Sequence, residues 1–74
     1  MRTLKDLKPG EKGTVRRIAA DPALRRRLIE MGITQGSELT VRKYAPLGDP
    51  IEVSVRGCEL AFRLNEAEKI QLVG

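Results

Sequence analysis

The clearest helical pattern in the chain spans residues 22–31. Three apolar side chains recur there at i, i+4 and i+7, which places them on one helix face: Leu24, Leu28 and Met31. The carboxylate of Asp21 can accept a hydrogen bond from the first free backbone N–H groups, and Pro22 suits the first helical position. The pattern therefore predicts a helix that begins after Asp21, ends before Gly32 and has its apolar face covered by the rest of the chain.

The strongest strand pattern is the alternation of apolar and polar residues over residues 51–64. The apolar positions form two runs on one face: Ile51, Val53 and Val55, then Leu60, Phe62 and Leu64. Gly57 and Cys58 lie between the two runs, where a tight turn fits. Residues 51–64 therefore predict a β-hairpin.

A further strand is predicted over residues 38–44, where alternation points Leu39 and Val41 toward the core. The same alternation points three side chains away from the core: Thr40, Arg42 and Tyr44. The next residues, 45–50, are rich in Pro and Gly, so they predict a loop with Leu47 at its tip.

Residues 13–20 predict a strand that is not regular. Val15 and Ile18 are three positions apart, and a flat strand would place them on opposite faces. A bulge near Arg16 and Arg17 would place both apolar side chains on one face. The remaining elements are short: a helical turn with Leu4 and Leu7, another at residues 65–68, and a last strand with Ile70 and Leu72.

Together these elements predict a mainly β fold: a small SH3-like barrel of about five strands, with one inserted α-helix and a short helical turn before the last strand. Closure into a barrel protects the edges that short strands otherwise expose. The chain has 74 residues, which suffice for one domain, so residues 1–74 are predicted to form a single domain with little room for an enclosed cavity.

The composition restricts the chemistry that this domain can perform. Histidine is absent and Cys58 is the only cysteine, so an internal disulfide, a four-ligand zinc site and histidine-based catalysis are excluded. We therefore predict no catalytic residues, no metal ligands and no cofactor, and we expect a protein that is not an enzyme. No leader sequence and no run of about 18 apolar residues is present, so we expect a cytoplasmic protein that is not embedded in a membrane.

Positive charge is the remaining distinctive property. Fourteen Lys and Arg against ten Asp and Glu give a net charge of +4, and five arginines cluster near the first strand and the helix: Arg16, Arg17, Arg25, Arg26 and Arg27. Such a surface suits an acidic partner, or it only keeps the protein soluble. Single-stranded nucleic acid also needs aromatic stacking platforms, and Phe62 belongs to an inward set, which leaves Tyr44 alone. We therefore expect no nucleic-acid partner.

Six side chains have no evident role in the core and are predicted to bind a partner: Arg16, Arg17, Arg25, Arg26, Tyr44 and Leu47. Interfaces draw most of their binding energy from a few anchors, whereas charges at the rim mainly raise association rates. We therefore predict that Tyr44 and Leu47 act as anchors and that the arginines steer the approach of the partner.

The order of several short motifs resembles that of a known family. The most specific of them is Arg27-Leu28-x-Glu30-Met31-Gly32-Ile33-x-x-Gly36. Others flank it: Leu4-x-x-Leu7-x-x-Gly10, Gly13-x-Val15, Asp49-Pro50 before a hairpin that contains Gly57, and Leu64-x-x-x-Glu68. Nearly the whole chain thereby resembles the FeoA family, small cytosolic SH3-like proteins that accompany the membrane transporter FeoB in bacterial ferrous iron uptake.

The resemblance implies an accessory protein that binds the cytosolic side of FeoB, where the GTP-binding domain of the transporter lies, and that is held peripherally at the inner face of the plasma membrane. Self-association is left open. Soft and imidazole ligands are missing apart from Cys58, so an accessory role is favoured over iron carriage.

The same module resembles the C-terminal domain of metal-dependent transcriptional repressors. No DNA-binding helical domain precedes it in this sequence, and we expect on that ground the accessory protein. The alternative is a small-barrel nucleic-acid-binding module or a stand-alone relative of the repressor domain.

Overall fold

The computed structural model describes residues 2–73; Met1 and Gly74, which the predicted single domain included, lie outside the described residues. The elements follow in this order: a 3-10 turn (Leu4–Asp6), β1 (Lys12–Ile18), α1 (Pro22–Glu30), β2 (Glu38–Tyr44), β3 (Ile51–Val55), β4 (Cys58–Phe62), α2 (Leu64–Ala67) and β5 (Ile70–Leu72). The strands form one antiparallel five-stranded sheet in the order β4-β3-β2-β1-β5. The predicted mainly β, SH3-like class is confirmed.

The core lies inside the curved sheet, where the inward side chains of all five strands meet. The 3-10 turn and α1 cover it with Leu4, Leu7 and Leu28, each at most 1% exposed. Leu24 and Met31 are partly buried against the same core, so the predicted inward face of the helix is confirmed.

Local hydrogen bonds fix both ends of α1. The Asp21 carboxylate accepts from the backbone N–H of Leu24 at 2.8 Å, as the sequence predicts. The helix ends at Glu30, and the chain turns away at Gly32, whose φ of +92° is a conformation that glycine adopts without strain. In the link to β2, the buried Ser37 hydroxyl accepts from the Thr34 backbone N–H at 3.0 Å and donates to the Gly32 carbonyl at 3.2 Å. This link therefore holds α1 in a fixed position against the sheet.

The predicted bulge in β1 is confirmed. The register of β1 against β5 shifts between Val15 and Arg17, so Arg16 is the extra residue. Val15 and Ile18 consequently both face the core, at 1% and 7% exposure.

A second bulge occurs in β2. The register against β3 shifts between Val41 and Lys43, which makes Arg42 the extra residue. Tyr44 then pairs with the buried Ile51 and lies on the core side of the sheet. The prediction that Tyr44 faces away from the core is wrong, because one extra residue reverses the facing of every later position in a strand.

The predicted hairpin of β3 and β4 is confirmed, but its turn lies one residue earlier than expected. Val55 pairs with Cys58, so Arg56 and Gly57 form the turn, with φ values of +52° and +81°. A two-residue turn of this kind needs positive φ at both positions. The prediction of a turn at Gly57-Cys58 is therefore wrong by one residue.

The predicted helical turn before the last strand is confirmed as α2 and begins at Leu64. The sequence pattern predicted that Leu64 extends β4, and this prediction is wrong because Leu64 is the first residue of α2. The Asp49 carboxylate, in the loop between β2 and β3, accepts from the Leu64 backbone N–H at 3.1 Å and so satisfies a free donor at the start of α2.

Candidate functional site

Four of the predicted partner residues meet around one exposed apolar side chain, Ile29. Two adjoining open hollows, of about 400 and 350 Å³, share Arg25 and Ile29 in their walls. Arg26 lines the first hollow, whereas Arg16 and Arg17 line the second. We refer to these five residues as the basic face.

Local structure explains how the sequence forms this face. The bulge in β1 leaves the consecutive residues Arg16 and Arg17 both exposed. On α1, Arg25 and Ile29 are four residues apart and therefore lie on the same side of the helix. Leu28 points into the core, so Ile29, one position further, turns outward and remains 48% exposed.

The charges of the basic face are not neutralised by neighbours. Within residues 2–73, no carboxylate oxygen lies within 4.0 Å of a side-chain nitrogen of Arg16, Arg17, Arg25 or Arg26. Arg25 donates a hydrogen bond to the Ile18 carbonyl at 3.1 Å, which joins α1 to the end of β1 and leaves the positive charge in place. Glu30 is the one acidic residue in the walls of the two hollows.

The other two predicted residues lie elsewhere. The Tyr44 hydroxyl donates to the backbone carbonyls of Leu7 and of Lys5, the latter at 3.2 Å, and its ring packs against the core. Burial, with smaller contributions from the charges of Asp6 and Glu11, raises the pKa of Tyr44 above 10.0, so the hydroxyl stays a neutral donor. The premise that Tyr44 has no role in the fold is therefore wrong, and its part in partner binding stays a prediction.

Leu47 lies in the loop between β2 and β3 and is 95% exposed, which agrees with its predicted place at an apolar loop tip. Neither hollow of the basic face includes Leu47 or Tyr44. The structure thus divides the six predicted residues into an arginine group around Ile29 and a second group that lies outside those hollows.

Ile29 is the residue of this surface that the sequence reasoning missed. Its signal was present, because Ile29 is an apolar residue that does not belong to the inward set of Leu24, Leu28 and Met31. An apolar residue off the buried face of a capped helix is a candidate anchor for a partner.

In the described part of the chain, no group of three or more His, Cys, Asp or Glu side chains lies around one point where a metal ion could bind. Cys58 is exposed beside the hairpin turn. None of the helices in residues 2–73 is long and apolar enough to span a membrane.

The fold and the site define a class of protein: a small SH3-like β domain whose candidate site is an open basic surface. The chain belongs to the FeoA family, since the FeoA domain model matches residues 2–73. The chain is 30% identical over 69 residues to a fusion of Fe(2+) transport protein A with the Fe(2+) transporter FeoB from Porphyromonas gingivalis. The match covers 93% of this chain and 8% of that relative, so this chain spans about a twelfth of the length of the relative. The family is thereby linked to ferrous iron transport.

Solved structures share the fold over nearly the whole chain. The FeoA protein of Chlorobium tepidum is 48% identical, with a TM-score of 0.91 over 96% of this chain and 68% of that one. The FeoA of Stenotrophomonas maltophilia complexed with zinc, described as a prokaryotic SH3 domain protein, is 28% identical, with a TM-score of 0.86 over 99% of this chain and 91% of that one. A manganese-dependent transcriptional repressor in complex with manganese is 31% identical, with a TM-score of 0.89 over 97% of this chain and 35% of that one.

Proposed function

We propose that this protein is an accessory partner of a FeoB-type ferrous iron transporter, that it binds the cytosolic side of the transporter, and that it catalyses no reaction. The observation that carries the proposal is the Porphyromonas gingivalis relative, in which the two proteins are one polypeptide. A covalent linker keeps two domains together at an effective concentration on the order of millimolar. Two domains that are not linked covalently need a binding surface to stay together.

The basic face supports this proposal because it offers such a surface. Its arginines are exposed and have no neutralising carboxylate among the described residues, and Ile29 supplies apolar area at their centre. Arginine is enriched among the side chains that contribute most to protein interfaces, and an aliphatic side chain can serve as the central anchor. As a second part of the interface we propose Leu47 and Tyr44, which present apolar surface on and beside the loop between β2 and β3.

Binding to the purified transporter tests the proposal. The transporter is solubilised and immobilised, and binding of this protein is measured at about 0.15 M salt by biolayer interferometry, with an unrelated membrane transporter as the control. We expect saturable binding to FeoB only. Absence of binding to FeoB, in detergent and in nanodiscs, would contradict the proposed function.

The Leu47 part of the interface is tested by the variant Leu47→Ser combined with Tyr44→Phe. Phenylalanine keeps the ring of Tyr44 in the core and so avoids the loss of packing that an alanine would cause. The matched control is Val73→Ser, because Val73 is also an exposed apolar residue, at 55%. We expect weaker capture of the transporter by the double variant alone; equal capture would remove Leu47 and the hydroxyl of Tyr44 from the interface.

The absence of catalysis is tested directly. Isolated protein should hydrolyse neither GTP nor ATP above a buffer control, because the sequence contains no phosphate-binding loop and no histidine base. Turnover that copurifies with the protein and disappears when one carboxylate is changed would contradict this part of the proposal.

A second candidate function follows from the likeness to the manganese-dependent repressor, which covers 97% of this chain. A nucleic-acid role predicts binding whose affinity falls with salt, with a slope of log K against log[salt] of about −0.9 for each neutralised phosphate of duplex DNA. We expect only weak binding that is lost at about 0.15 M salt. A tight, sequence-selective complex at that salt would favour the second candidate.

A further inference from the structure

We infer that the basic face binds an acidic segment of a protein partner, with Ile29 packing against an aliphatic side chain of that segment and the four arginines pairing with its carboxylates. The identification of that partner as the transporter rests on the proposed function. The binding mode itself is derived from the surface alone.

The apolar centre is the first observation. Ile29 is 48% exposed, although the preceding residue of the same helix, Leu28, is fully buried. The hollows on its two sides, of about 400 and 350 Å³, are open, and Ala20 and Pro22 add apolar surface to the first. An exposed apolar centre within a polar rim is the arrangement of an interface core.

The rim supplies the second observation, because its charges lack partners within the described residues. An arginine guanidinium can bind a carboxylate through two parallel hydrogen bonds, which a lysine cannot do. An acidic segment is therefore a well-matched partner for these arginines. Arg25 is already held in place by its bond to the Ile18 carbonyl at 3.1 Å. Less conformational freedom is lost on binding when a charged side chain is held beforehand.

The surroundings favour a protein segment over nucleic acid. Glu30 lies in the wall of the first hollow, and a phosphate backbone, which carries charge at every step, would meet this carboxylate. A protein segment can place its carboxylates on the arginine side and an apolar residue beside Glu30. The aromatic residues of the chain, Tyr44 and Phe62, lie outside both hollows, so no base-stacking platform accompanies the arginines.

A second copy of this chain fits the face poorly. The net charge is +4, so two copies repel each other at this surface. Four of the acidic side chains are also engaged in ion pairs of their own: Glu52, Glu59, Glu66 and Glu68. An acidic partner of different sequence is therefore the occupant that the charges select.

Two synthetic peptides of 14 residues test the binding mode without the transporter. One peptide contains Glu and Asp with two central Leu residues, and its twin has Ser in place of both Leu. Titration into ¹⁵N-labelled protein at about 0.15 M salt gives affinities and maps the perturbed amides. We expect the Leu peptide to bind at least roughly tenfold more tightly than its twin and to perturb residues 16–18 and 20–30.

Variants with matched controls locate the contacts. Ile29→Ser should remove the difference between the two peptides, and Arg26→Glu should weaken the Leu peptide by roughly tenfold. Lys12→Glu makes the same change of charge on β1 outside the basic face, and Val73→Ser makes the same loss of apolar surface; each should change affinity by less than about twofold. Equal affinity of the two peptides, perturbation of other residues, or an equal loss in Lys12→Glu would overturn the inference.

The transporter and a lipid surface complete the test. Solubilised FeoB should bind wild-type protein and should bind Ile29→Ser more weakly. If wild-type protein does not bind FeoB, the proposed function is wrong. The peptide titrations still decide the binding mode in that case. If FeoB binds both proteins equally, the basic face is not the transporter site. Vesicles with about 30% phosphatidylserine attract any basic surface, with a contribution from each Lys or Arg near it, so we expect weak retention that does not depend on Ile29. Ile29-dependent retention stronger than peptide binding would reassign the face to a membrane.

Discussion

Bulges occur in both β1 and β2, and each brings two consecutive basic side chains to the surface, but the surroundings of the two pairs differ. In β2 the three residues Arg42, Lys43 and Tyr44 each have a partner within the fold. These partners are the Glu59 carboxylate at 3.7 Å, the Glu52 carboxylate at 3.9 Å and the backbone of Leu7 and Lys5. The end of β2 therefore satisfies its polar groups internally.

In β1 the bulged residue Arg16 and its neighbour Arg17 face α1, which contributes Arg25 and Arg26 to the same surface. Among the described residues, no carboxylate forms an ion pair with any of these four arginines. Repulsion among like charges opposes this arrangement, and no ion pair within residues 2–73 offsets it. The comparison shows that an exposed arginine indicates a partner-binding surface only when no carboxylate of its own chain neutralises it. The following predictions test the difference between the two regions.

The largest expected effect separates the core from the basic face at consecutive positions of α1. Leu28→Ala should lower the free energy of unfolding by about 2–5 kcal/mol, because it leaves a cavity in a small core. Ile29→Ala should lower it by less than about 0.5 kcal/mol, since Ile29 is half-exposed. Urea denaturation measures both, and similar losses would mean that Ile29 belongs to the core and does not serve a partner.

Tyr44→Phe should lower the free energy of unfolding by about 0.5–1.5 kcal/mol, because the hydroxyl donates to the backbone carbonyls of Leu7 and Lys5. The folded-state pKa of Tyr44 lies above 10.0, so this stabilisation is complete below pH 10 and declines as the pH rises through the folded-state pKa. Wild-type protein and the variant should therefore converge in stability only above pH 10. A constant difference up to the pH of unfolding would contradict the hydrogen bond.

Charge reversal should affect the two bulges differently. Arg42→Glu replaces an attraction to Glu59 with a repulsion and should lower the free energy of unfolding by up to about 1 kcal/mol at low salt. Arg17→Glu relieves repulsion within the basic face and should leave stability unchanged or raise it by a few tenths of a kcal/mol. Thermal melts at low and high salt measure both effects, and a salt-independent loss in Arg17→Glu would reveal a structural role for Arg17.

The smallest effect is a difference between two coupling energies. A double-mutant cycle on Lys43 and Glu52, whose charged atoms are 3.9 Å apart, should give about 0.2–0.5 kcal/mol, because both side chains are partly exposed. The same cycle on Arg26 and Glu30 should give a smaller value, since the charged atoms of this i, i+4 pair lie more than 4.0 Å apart and the Arg-to-Glu order is the less favourable one. A larger coupling for Arg26 and Glu30 would mean that Glu30 neutralises part of the basic face in solution.

The elements that the sequence predicted well are those encoded by local periodicity. The cap of α1, its inward face, the hairpin and the bulge of β1 all follow from residues within one element. The bulge of β2 had the same signal, because Val41 and Tyr44 are three positions apart just as Val15 and Ile18 are. Tyrosine suits both a buried and an exposed position, so its spacing did not identify the core side.

The candidate site was predicted only in part. Sequence clustering identified the four arginines, and the helical period contained the information for Ile29. Whether an arginine has a neutralising partner depends on residues that are distant in sequence, as with Arg42 and Glu59. The start of α2 is another example, because Asp49 caps Leu64 from 15 residues away. Such contacts form only once the chain has folded, so no local pattern encodes them.

The contact of the first described residues with β5 has a consequence for how this domain can be attached to other polypeptides. The Leu72 backbone N–H donates to the Arg2 carbonyl at 2.8 Å, and Thr3 forms a bridge with Gln71, so the two ends of the described chain leave the fold side by side. A neighbouring domain joined to either end therefore starts from the same side of the sheet, beside β5. The side of attachment is thus the same for an amino-terminal and a carboxy-terminal fusion, and only the length of the tether sets how far the domain reaches.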